Sequence, residues 1–295
     1  MVDDVLEFWS RARGMSLKRA RVIWIETVEK KYPEYFEQAI YRDAGPSERW
    51  VMLSEFLLQL SQRIEALRRF NYGINDRVME AVASFRTRFP EYKQQTDIYI
   101  GVSFSRFDGS VRPVGNLDDV PDTLCLGADV LASYGPEELQ FAITHELFHL
   151  YHFGFLLREN HNLVLSPHIP LMIEGMAVAG TEAIYPSHAV ETYLHFSKEQ
   201  LQSQRDRLEV SSDEFLELIL DSAESENYAG WFATIPGEQM PPRGGYLLGY
   251  EVVKRLLGRY SFEELVRLDS TDLRELAEEE LIGLARGRIV LTALD

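Results

Sequence analysis

Apolar residues in the first third of the chain recur at intervals of three and four. Phe8 and Trp9, then Val22, Ile23, Ile25 and Val28, stand at helical spacing among Lys, Arg and Glu. Ser47-Glu48 opens a longer segment in which Leu53, Phe56, Leu57, Leu60, Ile64 and Leu67 keep the same rhythm. Such a stripe marks the core-facing side of a helix. Asn71-Tyr72-Gly73 is read as a break, and a further helix runs from there to Phe89, where Pro90 stops it.

Near Thr96 the period drops to two. Asp97 to Phe104 alternates β-forming and polar residues and predicts a strand. Phe107-Asp108-Gly109-Ser110 reads as a turn. Val111 to Val114 and Thr123 to Leu126 read as two more short strands. Pro136-Glu137-Glu138 then starts a helix, because proline suits the first helical position and acids suit the positive end of the dipole. This helix carries Phe141, Ile143, Leu147 and Leu150. A loop with Asn160, His161, Asn162, Ser166, Pro167 and Pro170 follows, then a helix from Leu171 to about Ala183. The remainder is mainly helical, with a Gly/Pro-rich break at Ile235 to Gly245. The fold class expected is α+β and mostly helical. Its organisation is an N-terminal helical region (1–93), a core with the sheet and two key helices (94–185), and a C-terminal helical lobe (186–295). The 295 residues suit one compact unit with a substantial core.

Composition narrows the choice of partner. A formal net charge of −17 repels phosphate backbones, so nucleic acid is not an expected partner. The charge itself serves solubility. Cys125 is the single cysteine, which excludes an intramolecular disulfide and a cysteine-based zinc site. Between Leu124 and Leu126 it reads as a small buried hydrophobe. The start Met1-Val2-Asp3-Asp4 has no basic region followed by an apolar one, and no stretch approaches a bilayer-spanning length. No membrane partner is expected, and the location expected is cytoplasmic. The oligomeric state is not written in the sequence.

The chemistry concentrates in His145-Glu146-Leu147-Phe148-His149. Residues four apart share a helix face, so both imidazoles can aim at one metal ion. Glu146 lies about 100° round the helix, beside the metal, where it can act as general base and then general acid. One zinc ion fits this pattern, since zinc makes hydroxide available near pH 7. Accidental burial of two histidines and a glutamate on so apolar a helix would cost a few kcal/mol. A catalytic zinc needs a third protein ligand. Glu174, 25 residues after His149, is the candidate: it stands near the start of an apolar helix. The small residues Gly175, Ala177, Ala179 and Gly180 would let that helix pack close to the histidine helix. Glu182 competes and is given a supporting or surface role. A histidine third ligand would need Gly at 152 and His at 155, where the chain has His152 and Phe155. His152 lines the site or is a core residue; His161, His168, His188 and His195 read as loop or surface residues. Tyr246 and Tyr250, at the start of a helix after Pro242-Arg243-Gly244-Gly245, offer a donor for the oxyanion of peptide hydrolysis. Both would serve equally well as packing residues.

These residues resemble a known arrangement. HELFH followed by the glutamate-bearing segment IEGMA is similar to the gluzincin pattern. HELFHLYH, IEGMAVAGTE and GGYLLGYEVVKRL resemble more closely the DUF2268 group of predicted zinc-dependent proteases, over about residues 97 to 258. The resemblance implies a thermolysin-like (minigluzincin-like) core, with a sheet edge beside the cleft, an active-site helix and a glutamate helix. It implies His145, His149 and Glu174 as ligands, Glu146 as base and Tyr246 as the assisting donor. It also implies that residues 97–104 or 110–114 supply the strand that pairs with an extended peptide. The thermolysin-like pattern has Asp four residues after the ligand Glu; here that position is Val178, so another group must orient the histidines. The expected function is hydrolysis of a peptide or protein substrate. A zinc-stabilised binding protein, or a zinc hydrolase of a non-peptide amide, would use the same ligands.

Overall fold

The computed structural model describes residues 1–92, 97–115, 122–159, 166–220, 228–232 and 243–285. The expected loop residues 160–162, the Gly/Pro-rich stretch 235–242 and the 93/94 boundary lie wholly or partly outside them. The described chain is mostly helical with one small sheet, an α+β fold. It forms two compact units, Met1–Leu150 and Tyr151–Asp295.

The N-terminal unit starts with α1 (Val2–Ala12) and α2 (Leu17–Thr27), followed by a short 3-10 turn (Glu29–Lys31) and a π-helix (Tyr35–Tyr41). Then comes α3 (Pro46–Arg88), a single helix of 43 residues. The expected break at Asn71-Tyr72-Gly73 does not occur. A mid-helix glycine costs about 1 kcal/mol, and the buried Phe70 and Ile74 anchor the helix on either side of that point. Trp24 is the centre of this core, with Phe8, Phe36, Phe56 and Phe104 around it at ring distances of 5.1–6.0 Å.

Strands form in all three expected regions: β1 (Ile98–Gly101), β2 (Gly109–Arg112) and β3 (Thr123–Gly127). β2 takes in Gly109 and Ser110 of the expected turn and ends at Arg112, short of Val114. The strand order is β1-β3-β2. β1 runs parallel to β3, with Ile98 opposite Leu124, and β2 runs antiparallel, with Gly109 opposite Leu126. β3 is buried at every residue and both neighbours are edges. β1 is shorter than the period-two pattern of Asp97 to Phe104. The Asp129 carboxylate accepts from the backbone N–H of Ser103 and of Ser105, at 2.6 and 2.7 Å. Phe104 and Ser105 take positive φ there, and the strand ends. Asp129 itself sits in the one-turn helix α4 (Ala128–Leu131).

α5 (Pro136–Glu159) begins where the proline and acids predict, and Glu138 caps it by accepting from the Gly135 N–H at 2.8 Å. Inside the N-terminal unit its Phe148 packs edge-on against Phe85 and Phe89, with ring distances of 6.2 and 5.3 Å. This contact anchors the motif-bearing stretch on the last turns of α3.

The C-terminal unit contains α6 (His168–Ile184), α7 (Val190–Leu194), α8 (Lys198–Asp206), α9 (Leu208–Leu220), α10 (Ala229–Phe232), α11 (Gly244–Leu256), α12 (Phe262–Leu265) and α13 (Ser270–Ala285). α6 starts three residues earlier than expected and includes Pro170. A proline in the first turn removes an N–H that has no helical partner in any case. The α6–α11 crossing depends on two glycines: a Cβ on Gly175 would fall 2.2 Å from the Gly249 carbonyl oxygen. Gly175, expected to admit the histidine helix, is thus used against α11.

Candidate metal centre

α5 presents His145 and His149 one turn apart. Their ring centroids are 4.5 Å apart and the planes are perpendicular, so the two rings are not stacked on each other. His145 is half-buried and His149 buried, in a helix whose Ile143, Leu147 and Phe148 are fully buried. One ligand atom from each of His145, His149 and Glu174 lies within 4.8 Å of the other two. Tetrahedral zinc with bonds of about 2.0–2.1 Å sets such atoms about 3.4 Å apart. The donor set, two imidazoles and a carboxylate, is one that zinc takes in hydrolytic sites. The residue types present therefore fit the metal.

Glu146 is 8 % exposed and sits on the side of α5 that meets β2. A Cβ placed on Gly109 would fall 2.3 Å from the Glu146 Cγ and 2.8 Å from its Cδ. Only glycine admits the glutamate at that point. The strand is pinned there. The Asp108 carboxylate accepts from the Gly109 N–H at 2.9 Å and from the Tyr134 hydroxyl at 2.7 Å. The Asp108 carbonyl accepts from the Gly127 N–H at 2.7 Å. Sequence reading took Asp108-Gly109 as a turn signal and missed this role. The signal was present, since a glycine at the start of a strand also marks close approach of another group.

The tyrosines separate clearly. Tyr250 is buried and donates to Glu182 Oε2 at 3.1 Å, an oxygen that also accepts from Lys254 Nζ at 2.8 Å. Burial, then the charge of Glu182, raises the Tyr250 phenol well above its ordinary value. Glu182 is thus engaged with α11 through Tyr250 and Lys254. Tyr246 is half-buried, against the Phe232 ring at 5.8 Å, with the Arg243 guanidinium 4.5 Å from its ring centre.

Other histidines fall as follows. His152 is fully buried. His188 is exposed, and His195 ends α7 in the left-handed region. His161 lies outside the described residues. His168 is not the loop or surface residue expected: it is 3 % exposed and opens α6. Its Nε2 is 3.0 Å from the Ser270 carbonyl oxygen and its Nδ1 is 3.2 Å from Ser166 Oγ. Burial lowers its pKa to about 4. Cys125 is fully buried in β3, and burial pushes its thiol up to about 12, far from a reactive thiolate. No helix among the described residues is long and apolar enough to cross a membrane.

No curated protein and no solved structure matches the chain. A family model does, across residues 77–275, which include α5, α6 and α11. With the greater part of its length matched, the chain belongs to the DUF2268 family, described as predicted Zn-dependent proteases.

Proposed function

We propose that the chain is a metallopeptidase of gluzincin type, in which His145, His149 and Glu174 hold one zinc ion and Glu146 moves the protons. The observation that carries this reading is the convergence of three candidate ligand atoms within 4.8 Å, with a buried glutamate next to one of them in sequence. When bound, zinc supplies an activated water near neutral pH and polarises the scissile carbonyl. Glu146 takes a proton from the attacking water, and the same carboxyl delivers it to the leaving amine nitrogen. Tyr246 donates to the developing oxyanion; the engagement of Tyr250 by Glu182 supports this choice.

The substrate is a peptide or protein in extended form. β2 is the sheet edge next to Glu146, which supports it over β1 as the strand that pairs with the peptide backbone. That arrangement of edge strand, histidine helix and glutamate helix is the thermolysin-like core of this proposal. A lone, fully buried cysteine suits a reducing cytoplasm.

Glu146→Gln keeps the shape of the side chain and removes its basicity. Peptide cleavage is expected to fall by at least about 10²-fold while one zinc per chain remains bound, by metal analysis and single-turnover kinetics. Undiminished cleavage by that variant would sink the mechanism. Zinc bound to the native chain without cleavage of any peptide in a broad library would leave a metal-stabilised binding protein instead.

A further inference from the structure

A concave site lies in the N-terminal unit, built from residues that the proposed peptide chemistry does not use. It is a cavity of about 420 Å³ between α2, the π-helix and the first turns of α3. Sites for small ligands run from about 300 to 1,000 Å³. Ile25, Leu53 and the Tyr41 ring give it apolar walls, and Arg21, Arg49, Glu29 and Glu37 give it charge.

The charged groups are unequally occupied. Arg49 is committed: its Nη1 donates to Glu37 Oε1 at 2.6 Å and its Nε to the Ala44 carbonyl at 2.7 Å. Arg21 is held differently. Its guanidinium lies 4.3 Å from the centre of the Trp50 ring, and it has no ion pair among the described residues. A guanidinium stacked by its face keeps the donors at its edge, in the fork that fits a carboxylate. Glu29 receives the Trp24 indole N–H at 2.9 Å and the Tyr41 hydroxyl, both on Oε1. Its Oε2 has no hydrogen-bond partner among the described residues, and a carboxylate oxygen has room for more. Cavity and charges thus present one cationic donor edge, one anionic acceptor and an apolar wall.

The wall is set by unusual backbone. The π-helix closes with an i→i+5 bond, the Arg42 N–H to the Glu37 carbonyl at 2.8 Å. Arg42 then leaves it at φ 47°. π-turns are rare and occur often at functional sites. This one turns Tyr41 into the cavity and brings Glu37 to the same rim.

We infer that this cavity binds a small zwitterion with an apolar side chain, its carboxylate on Arg21 and its ammonium on Glu29. The matching chemistry is that of an apolar α-amino acid or a short apolar peptide with free ends. The inference stands without the metal reading, because none of the cavity's residues belongs to the His145, His149 and Glu174 cluster.

Calorimetric titration and thermal melting of the full chain, stripped of metal by a chelator, test it. The probes are L-leucine, L-phenylalanine and leucyl-leucine, with 3-phenylpropionate and phenethylamine as analogues that each lack one charge. At least one zwitterion is expected to bind saturably and raise the melting temperature, as a ligand of the native state must. The single-charge analogues are expected to bind at least tenfold more weakly. The tighter of amino acid and dipeptide identifies the source. Arg21→Gln and Glu29→Gln are each expected to weaken binding tenfold or more; the latter keeps an acceptor for Trp24 and Tyr41. Ile25→Trp, which fills the cavity and leaves both charged residues in the chain, is expected to abolish binding even where the charge variants fold poorly. The inference is overturned if no zwitterion binds the stripped protein at millimolar concentration. It is also overturned if the analogues bind equally well, or if Ile25→Trp binds as the native chain does.

Discussion

At the scale of single residues, the sharpest constraint near the proposed base is an absent atom. Gly109 has no Cβ, and Glu146 occupies the space where one would be. Adding it puts a carbon 2.3 Å from Cγ, well inside van der Waals contact. Cγ is not the far end of the side chain, so either the carboxyl is displaced or β2 moves. A displacement of about 1 Å at a reacting group is enough to cost about 10²-fold in rate. Gly109→Ala is therefore expected to lower kcat by roughly that factor and stability by about 1–3 kcal/mol, with zinc retained. Steady-state kinetics with metal analysis check it, and an unchanged kcat would remove Gly109 from the proposal. The contrast between Gly109 and the HELFH segment also shows what a sequence reveals. His145, Glu146 and His149 are related by helical geometry alone, so their spacing carries their relation. Gly109 meets Glu146 through the tertiary packing of β2 against α5, which no local pattern encodes.

At the scale of elements, two helical glycines behave oppositely in the fold. Gly73 sits on the solvent side of α3 with nothing within 4 Å of an added Cβ. Gly175 sits in the crossing of α6 and α11, where the nearest atom to an added Cβ is a backbone oxygen at 2.2 Å. Gly73→Ala gains helix propensity and is expected to stabilise by about 0.5–1 kcal/mol. Gly175→Ala drives backbone against backbone and is expected to destabilise by about 1–3 kcal/mol or more. Urea midpoints at constant slope measure both; shifts of the same sign would contradict the packing described. These positions also explain the misplaced break in α3. Propensity weighs a glycine by what it costs an isolated helix, whereas Phe70 and Ile74 hold the turn by burial. Similarly, the alternation of residues 97–104 outruns β1 because Asp129, two dozen residues on, captures the N–H groups of Ser103 and Ser105. Element type was legible from periodicity, and element ends were decided by such distant side chains.

At the scale of the whole molecule, acid acts on the chain in opposing ways. The net charge of −17 means that carboxylate protonation first relieves self-repulsion throughout. His168 works against that relief in the C-terminal unit. It is wedged between Ser166 on its own side and Ser270 at the start of α13, and burial holds its pKa at about 4 against an ordinary 6.5. Between those values the unfolded chain binds a proton that the folded chain refuses, so stability rises with pH across that window. The neutral histidine thus costs nothing above pH 6.5, and its contribution is lost as pH falls toward about 4. The loss is on the order of 2–3 kcal/mol, since one unit of pKa difference between folded and unfolded chain is worth about 1.4 kcal/mol. His168→Gln separates this local effect from the general one. Glutamine does not titrate, and its amide N–H can replace Nε2 toward the Ser270 carbonyl. The difference in unfolding free energy between native chain and variant cancels the relief of self-repulsion, which both share. That difference is expected to be flat above pH 6.5 and to turn against the native chain between pH 6.5 and 4. A difference that stays flat through the window would mean that His168 accepts its proton in the folded state, and that α6 and α13 part near it without cost.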